Sequence, residues 1–150
     1  MSNLVNMSEA ASLALHAMVL LSTNSGKQVS TREIASRLHA SEVHLSKVLQ
    51  RLAKVGLVDS TRGPGGGFKL GKPGEQISLL EVYEAIEGAL TPTYCLLGTP
   101  ICRGEKCILG DLLEMVNRET REYLAGTSLS ELTDVYEGPQ DEECEKDNPD

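Results

Sequence analysis

Residues 60–71 read STRGPGGGFKLG, with Pro64 and four glycines packed between Arg62 and Lys69. Two structures need that much backbone freedom beside positive charge. One is a loop that wraps nucleotide phosphates; the other is the tip of a β-hairpin pressed against a nucleic acid. The flanking residues decide between them.

Upstream, Ser8 can cap a first helix running to about residue 23, with Leu13, Ala14, Ala17, Leu20 and Leu21 at helical spacing. TNSGKQ ends it. Ser30 then precedes TREIASRL, where Glu33 stands three residues on as in a capping box, and the segment is only about two turns long. HAS turns the chain, and Ser41 can cap EVHLSKVLQRLAKVG, whose Val43, Leu45, Val48, Leu49 and Leu52 make an apolar face before Gly56 stops it. A short helix, a tight turn and a longer helix make a helix-turn-helix. LVDST and FKLG on either side of RGPGGG then read as two strands and their turn. The expected fold is mainly α: a winged helix-turn-helix with a two-stranded wing.

The phosphate-loop reading has one argument for it. Gly66 to Lys72 fits G-x-x-x-x-G-K, but Pro73 follows where a hydroxyl would ligate magnesium and a helix would open. A nucleotide hydrolase is therefore a remote alternative, and no catalytic residues are assigned.

The net charge of −8 first argues against a nucleic-acid partner, but it averages two unlike halves. Residues 1–74 carry nine Lys/Arg against four Asp/Glu, net +5, whereas residues 75–150 carry five against eighteen, net −13. On the third helix the apolar face leaves Glu42, His44, Ser46, Lys47, Gln50 and Arg51 outward. Lys47 and Arg51 suit guanine edges or phosphates and Gln50 suits adenine, although Arg51 and Lys54 equally suit an ordinary solvated face. Arg62 and Lys69 end the wing strands, where phosphates or a minor groove would lie.

The run GLVDSTRGPGGGFKLGKP, the helix-turn-helix before it and a cysteine-bearing segment about 25 residues on resemble the IscR/NsrR/CymR-type family of bacterial transcriptional regulators, over roughly residues 7–135. That resemblance implies a homodimer joined by a long C-terminal helix and bound to palindromic promoter DNA. It also implies that Arg62, opening the glycine-rich turn of Gly63, Gly65 and Gly66, reaches a minor groove, with Val43, His44, Ser46 and Lys47 facing the major groove. Relatives that read one operator class carry an acidic residue where Ser46 stands, so the operator does not transfer.

In the second half, ISLLEVYEAIEGAL reads as an amphipathic helix capped by Ser78. ILGDLLEMVNRETREYL reads as a longer one, with Ile108, Leu109, Leu112, Leu113, Val116, Thr120, Tyr123 and Leu124 along a stripe wider than a small domain can cover. Dimerisation is its natural use, since a two-fold partner supplies a second half-site. SLSEL starts a short final helix. From Glu137, seven acids, one lysine and two prolines make an acidic tail expected to be disordered.

Between those helices YCLLGTPICRGEKC places Cys95, Cys102 and Cys107 at C-x6-C-x4-C. Three thiols on a loop with two glycines and a proline can converge on one metal centre, and thiolates favour zinc and iron–sulfur clusters. The C-x2-4-C pairs of structural zinc sites and the C-x-x-C of thiol oxidoreductases are absent; three incidental thiols are the plain alternative. The family resemblance favours an iron–sulfur cluster, of two or four irons, since cluster-binding members carry three cysteines here, commonly at C-x5-C-x5-C. Their fourth ligands do not transfer: a histidine three residues after the last cysteine is here Gly110, and an acidic residue near the partner's N-terminus aligns with Ser12. Glu9, His16, Asp111 and Cys144 remain as candidates.

The expected organisation is a winged helix-turn-helix over 1–77, a dimerisation and cysteine-loop sensor region over 78–136, and the tail over 137–150. The expected function is a homodimeric, non-enzymatic DNA-binding regulator controlled by an iron–sulfur cluster; a cluster-free regulator answering to a partner protein or small molecule is the alternative. With no apolar run long enough to span a bilayer and no basic flank at the N-terminus, the expected location is the cytoplasm, away from membranes.

Overall fold

A computed structural model describes residues 7–24 and 26–136. Its order is α1 (Glu9–Thr23), α2 (Thr31–Arg37), α3 (Glu42–Lys54), β1 (Val58–Thr61), β2 (Gly67–Leu70), α4 (Leu79–Glu87) and α5 (Leu112–Gly126), with 3-10 turns at Gly74–Gln76 and Leu129–Leu132.

Four helices start where a serine says they should. The side-chain oxygens of Ser8, Ser30, Ser41 and Ser78 each accept the backbone N–H three residues on, at 3.0 to 3.3 Å, satisfying donors that have no partner inside the helix. The reciprocal capping box is completed elsewhere, by Ser128 and Glu131 at the last 3-10 turn. The link between α2 and α3 closes through His39, which holds a positive φ of 50°. His39 therefore takes the left-handed position that glycine usually fills after a helix.

The core gathers the inner faces of these elements. Ala14, Ala17 and Met18 of α1, Ile34 of α2, Leu45, Leu49 and Leu52 of α3 and Val82 of α4 are all fully buried. Helix α4 packs on α1 and α3 and belongs to this same core, as does Leu129 beyond α5. The wing is an antiparallel pair in which Asp59 faces Lys69 and Thr61 faces Gly67. A third backbone partner was not foreseen: Val29, just before α2, exchanges both hydrogen bonds with Phe68, tying the wing to the helix-turn-helix.

Helix α5 corrects one expectation. The helix expected from Ile108 starts instead at Leu112, because residues 108–111 form turns and Gly110 has a φ of 56° that a right-handed helix does not accept. The phosphate-loop alternative also falls. Gly67–Leu70 is a ladder strand rather than a loop before a helix, and Lys72 Nζ is paired with Glu81 Oε1 at 2.7 Å. Residues 137–150, with the expected disordered tail and Cys144, lie outside the described residues.

Candidate nucleic-acid interface and cysteine loop

The glycine-rich turn is built by its glycines in two ways. Gly63 and Gly65 hold φ of 93° and 75°, and a Cβ on Gly66 would stand 2.3 Å from the Thr61 carbonyl oxygen. No other residue type closes this tip without distortion. Closing it leaves Arg62 exposed at the end of β1, with no salt bridge among the described residues.

Wing, α3 and the start of α2 surround an open groove of about 530 Å³, lined among others by Thr31, Arg32, Glu42, Gln50, Arg62 and Gly66. Its walls carry hydroxyls, the Gln50 amide and two arginines beside one carboxylate, Glu42, and one aromatic ring, Phe68, a mainly polar lining that suits a phosphate backbone and base edges. Gln28 donates to the Thr61 hydroxyl across the back of the groove and, with the Val29 bridge, sets the wing against α2. Thr31 and Arg32 line this groove without having been singled out in the sequence; their place one and two residues after a serine cap, at the start of the helix-turn-helix, is the signal that could have found them.

The α3 residues divide by what they touch. Val43 is 69% exposed. Lys47 is exposed, and Gln50 Nε2 donates to Ser46 Oγ at 3.3 Å, so these three share one outward face. His44 Nδ1 lies 3.7 Å from Glu9 Oε1, on the side toward α1. Arg51 reaches the other way and donates from Nη2 to the backbone carbonyl of Ile86, at the end of α4. Lys69 sits on β2 opposite Asp59.

The cysteines lie on a connection without helix or strand between α4 and α5. Cys95 is partly buried and its sulfur accepts the Leu97 N–H at 3.4 Å; Cys102 and Cys107 are exposed. Among the described residues no three Cys, His, Asp or Glu side chains come together as an ion's ligands would. The donor set still fits an iron–sulfur cluster in kind, with three accessible thiols on a segment free of ladder hydrogen bonds. Closing them on one centre requires that segment to refold. Of the fourth-ligand candidates, Glu9 is exposed, Asp111 precedes α5 without capping it, and His16 Nδ1 lies 2.6 Å from the Ser12 carbonyl.

Helix α5 buries one residue, Leu124, while Leu112, Met115 and Tyr123 are 45%, 50% and 61% exposed. No helix among the described residues is long and apolar enough to cross a membrane.

Comparison with known proteins accords with this geometry. Residues 7–135 match the Rrf2 family, described as an iron-dependent transcriptional regulator. A protein of Haemophilus influenzae described only as an HTH-type transcriptional regulator is 38% identical over 108 residues, 71% of each chain. The HTH-type transcriptional regulator IscR of Cronobacter sakazakii is 36% identical over 120 residues, 79% of this chain and 73% of its own. Among solved structures, CymR, the global cysteine regulator of Bacillus subtilis, superposes with a TM-score of 0.74 at 25% identity, covering 88% of this chain and 98% of its own.

Proposed function

We propose that this chain, which belongs to the Rrf2 family of transcriptional regulators, binds promoter DNA as a cytoplasmic homodimer whose affinity is set by an iron–sulfur cluster on the cysteine loop. Its relatives are transcriptional regulators and not enzymes. In this reading Val43, Ser46, Lys47 and Gln50 face the major groove with His44 at the edge of that face toward α1, while Arg62, Lys69 and the turn of Gly63, Gly65 and Gly66 take the adjacent backbone or minor groove. The stripe on α5 meets its two-fold copy.

One observation carries the sensing half of the proposal: three thiols share a segment without helix or strand that joins a core helix to α5, which buries only Leu124. Cys95, Cys102 and Cys107 would hold the cluster, which when bound supplies a redox- and nitric-oxide-sensitive iron centre. Likeness to IscR supports this. A cluster-free regulator is the second reading, favoured by the separation of the three thiols among the described residues.

Protein purified without oxygen and assayed for iron, sulfide and visible absorption tests the reading. Alanine at Cys95, Cys102 or Cys107 is expected to abolish incorporation, and Cys144→Ala to leave the spectrum intact. Wild type that holds no iron or sulfide and cannot be reconstituted overturns the cluster in favour of the second reading.

A further inference from the structure

The segment leading into the cysteine loop is fastened at three backbone carbonyls by side chains from two different helices. At its start Arg51 of α3 donates to the Ile86 carbonyl, in the last turn of α4, where carbonyls lack partners within the helix. Further on, Arg121 Nη1 donates to the Leu90 carbonyl at 3.0 Å and Asn117 Nδ2 to the Thr93 carbonyl at 2.8 Å, both from α5. Cys95 follows two residues later and is the one partly buried cysteine of the three. Arg51 stands one turn after Lys47 and beside Gln50 on α3, so a pull on its guanidinium acts on the helix that carries the groove residues.

We propose that Arg51 is the link through which the state of the cysteine loop reaches the recognition helix, with Asn117 and Arg121 as the positioning residues that hold the loop's first segment on α5. The inference rests on reading that loop as the sensor. A cavity of about 260 Å³ lined by Leu90, Pro92, Tyr94, Asn117, Arg118 and Arg121 lies where the segment meets α5. Ile86 and Leu90 anchor the start of the segment to the core, while beyond Leu90 it is held to α5 by the Asn117 bond beside open space into which it can shift. Gathering three thiols on one centre must move residues just after Thr93. The displacement passes along a continuous backbone to Ile86 and from there to α3. In this proposal Arg51, though exposed, acts through its bond to the Ile86 carbonyl rather than as a phosphate contact.

Two measurements on the full chain test it. In metal-free protein, Asn117→Ala is expected to raise amide exchange about three-fold or more over residues 86–95 and over residues 48–55 of α3. Combined with Arg51→Met, which keeps the stem and removes the donors, the α3 response is expected to vanish; Arg51→Gln serves if that variant does not fold. An α3 that ignores Asn117→Ala, or responds equally without Arg51, overturns the link. In the second measurement Arg51→Met takes up iron and sulfide as wild type does, but its cluster-loaded and metal-free forms bind DNA within about two-fold of each other, where wild type differs by about five-fold or more. Equal weakening of both forms, with the salt dependence reduced by about one charge, makes Arg51 a phosphate contact and overturns the proposal. Should wild type take up no cluster, the sensor reading has failed, and the exchange measurement alone decides whether the link exists.

Discussion

Helices α3 and α5 are close in length and both amphipathic, yet they end in opposite situations. Leu45, Val48, Leu49 and Leu52 of α3 are all buried inside one chain, whereas α5 buries Leu124 alone. Both carry an apolar stripe, so the difference is one of neighbours. Helices α1, α2 and α4 surround α3, while α5 has α4 and little else. Helix α3 is covered within a single chain, whereas among the described residues α5 leaves most of its surface open.

The sharpest way to break this contrast is to substitute one position on each helix. Leu49→Ala removes a side chain with no exposure and is expected to cost about 2–5 kcal/mol of folding stability, read from urea unfolding. Met115→Ala, at 50% exposure, is expected to cost the isolated subunit far less. Met115→Arg is expected to leave a folded chain that sediments as a monomer, because an unpaired charge buried in an apolar seam costs about 3–5 kcal/mol. A folded dimer with arginine at 115 removes this face from the interface.

What could be read from the sequence follows the same division. Ser8, Ser30, Ser41 and Ser78 were legible as caps because a cap is a contact over three residues, and the wing was legible because its glycines and flanking strands are adjacent in the chain. Contacts between distant residues were not. The Val29 bridge to Phe68 and the Arg51 bond to Ile86 leave no local trace, and Arg51, exposed as its spacing indicates, gave no sign of that second contact. Helix α5 was begun too early because Leu112 continues the spacing of Ile108 and Leu109, while Gly110 breaks the backbone between them.

Within the reading head, Arg62 separates folding from recognition. Arg62→Ala removes an exposed charge at the wing tip and is expected to weaken specific DNA binding by about 1–3 kcal/mol, with unfolding unchanged. Mobility shifts on a genomic fragment recovered with wild type, at fixed salt, check it. Unchanged affinity would mean that the wing, though built as the sequence indicates, does not touch DNA.

The smallest expected effect asks whether the chain beyond α5 is held to the reading head by its own contacts. Ser128 pairs with Ser78 through an isolated bridge, Leu79 N–H donates to the Thr127 carbonyl at 2.9 Å, and Leu129 enters the core. Glu131 supports this junction by accepting the Ser128 backbone N–H at 2.6 Å and its hydroxyl at 3.1 Å, and the backbone bond above all holds its carboxyl below the usual range. A carboxylate with a depressed folded-state pKa stabilises above its unfolded pKa, and that stabilisation drains away as the pH falls through the folded value. Wild type is therefore expected to exceed Glu131→Gln slightly at neutral pH and to lose the advantage in acid, below the ordinary carboxylate range. Because the carboxylate is fully exposed, added salt should shrink the difference. Stability curves for the two proteins that stay parallel from neutral to acid pH would show that the junction stands on Leu129 and its backbone bridge without the capping box.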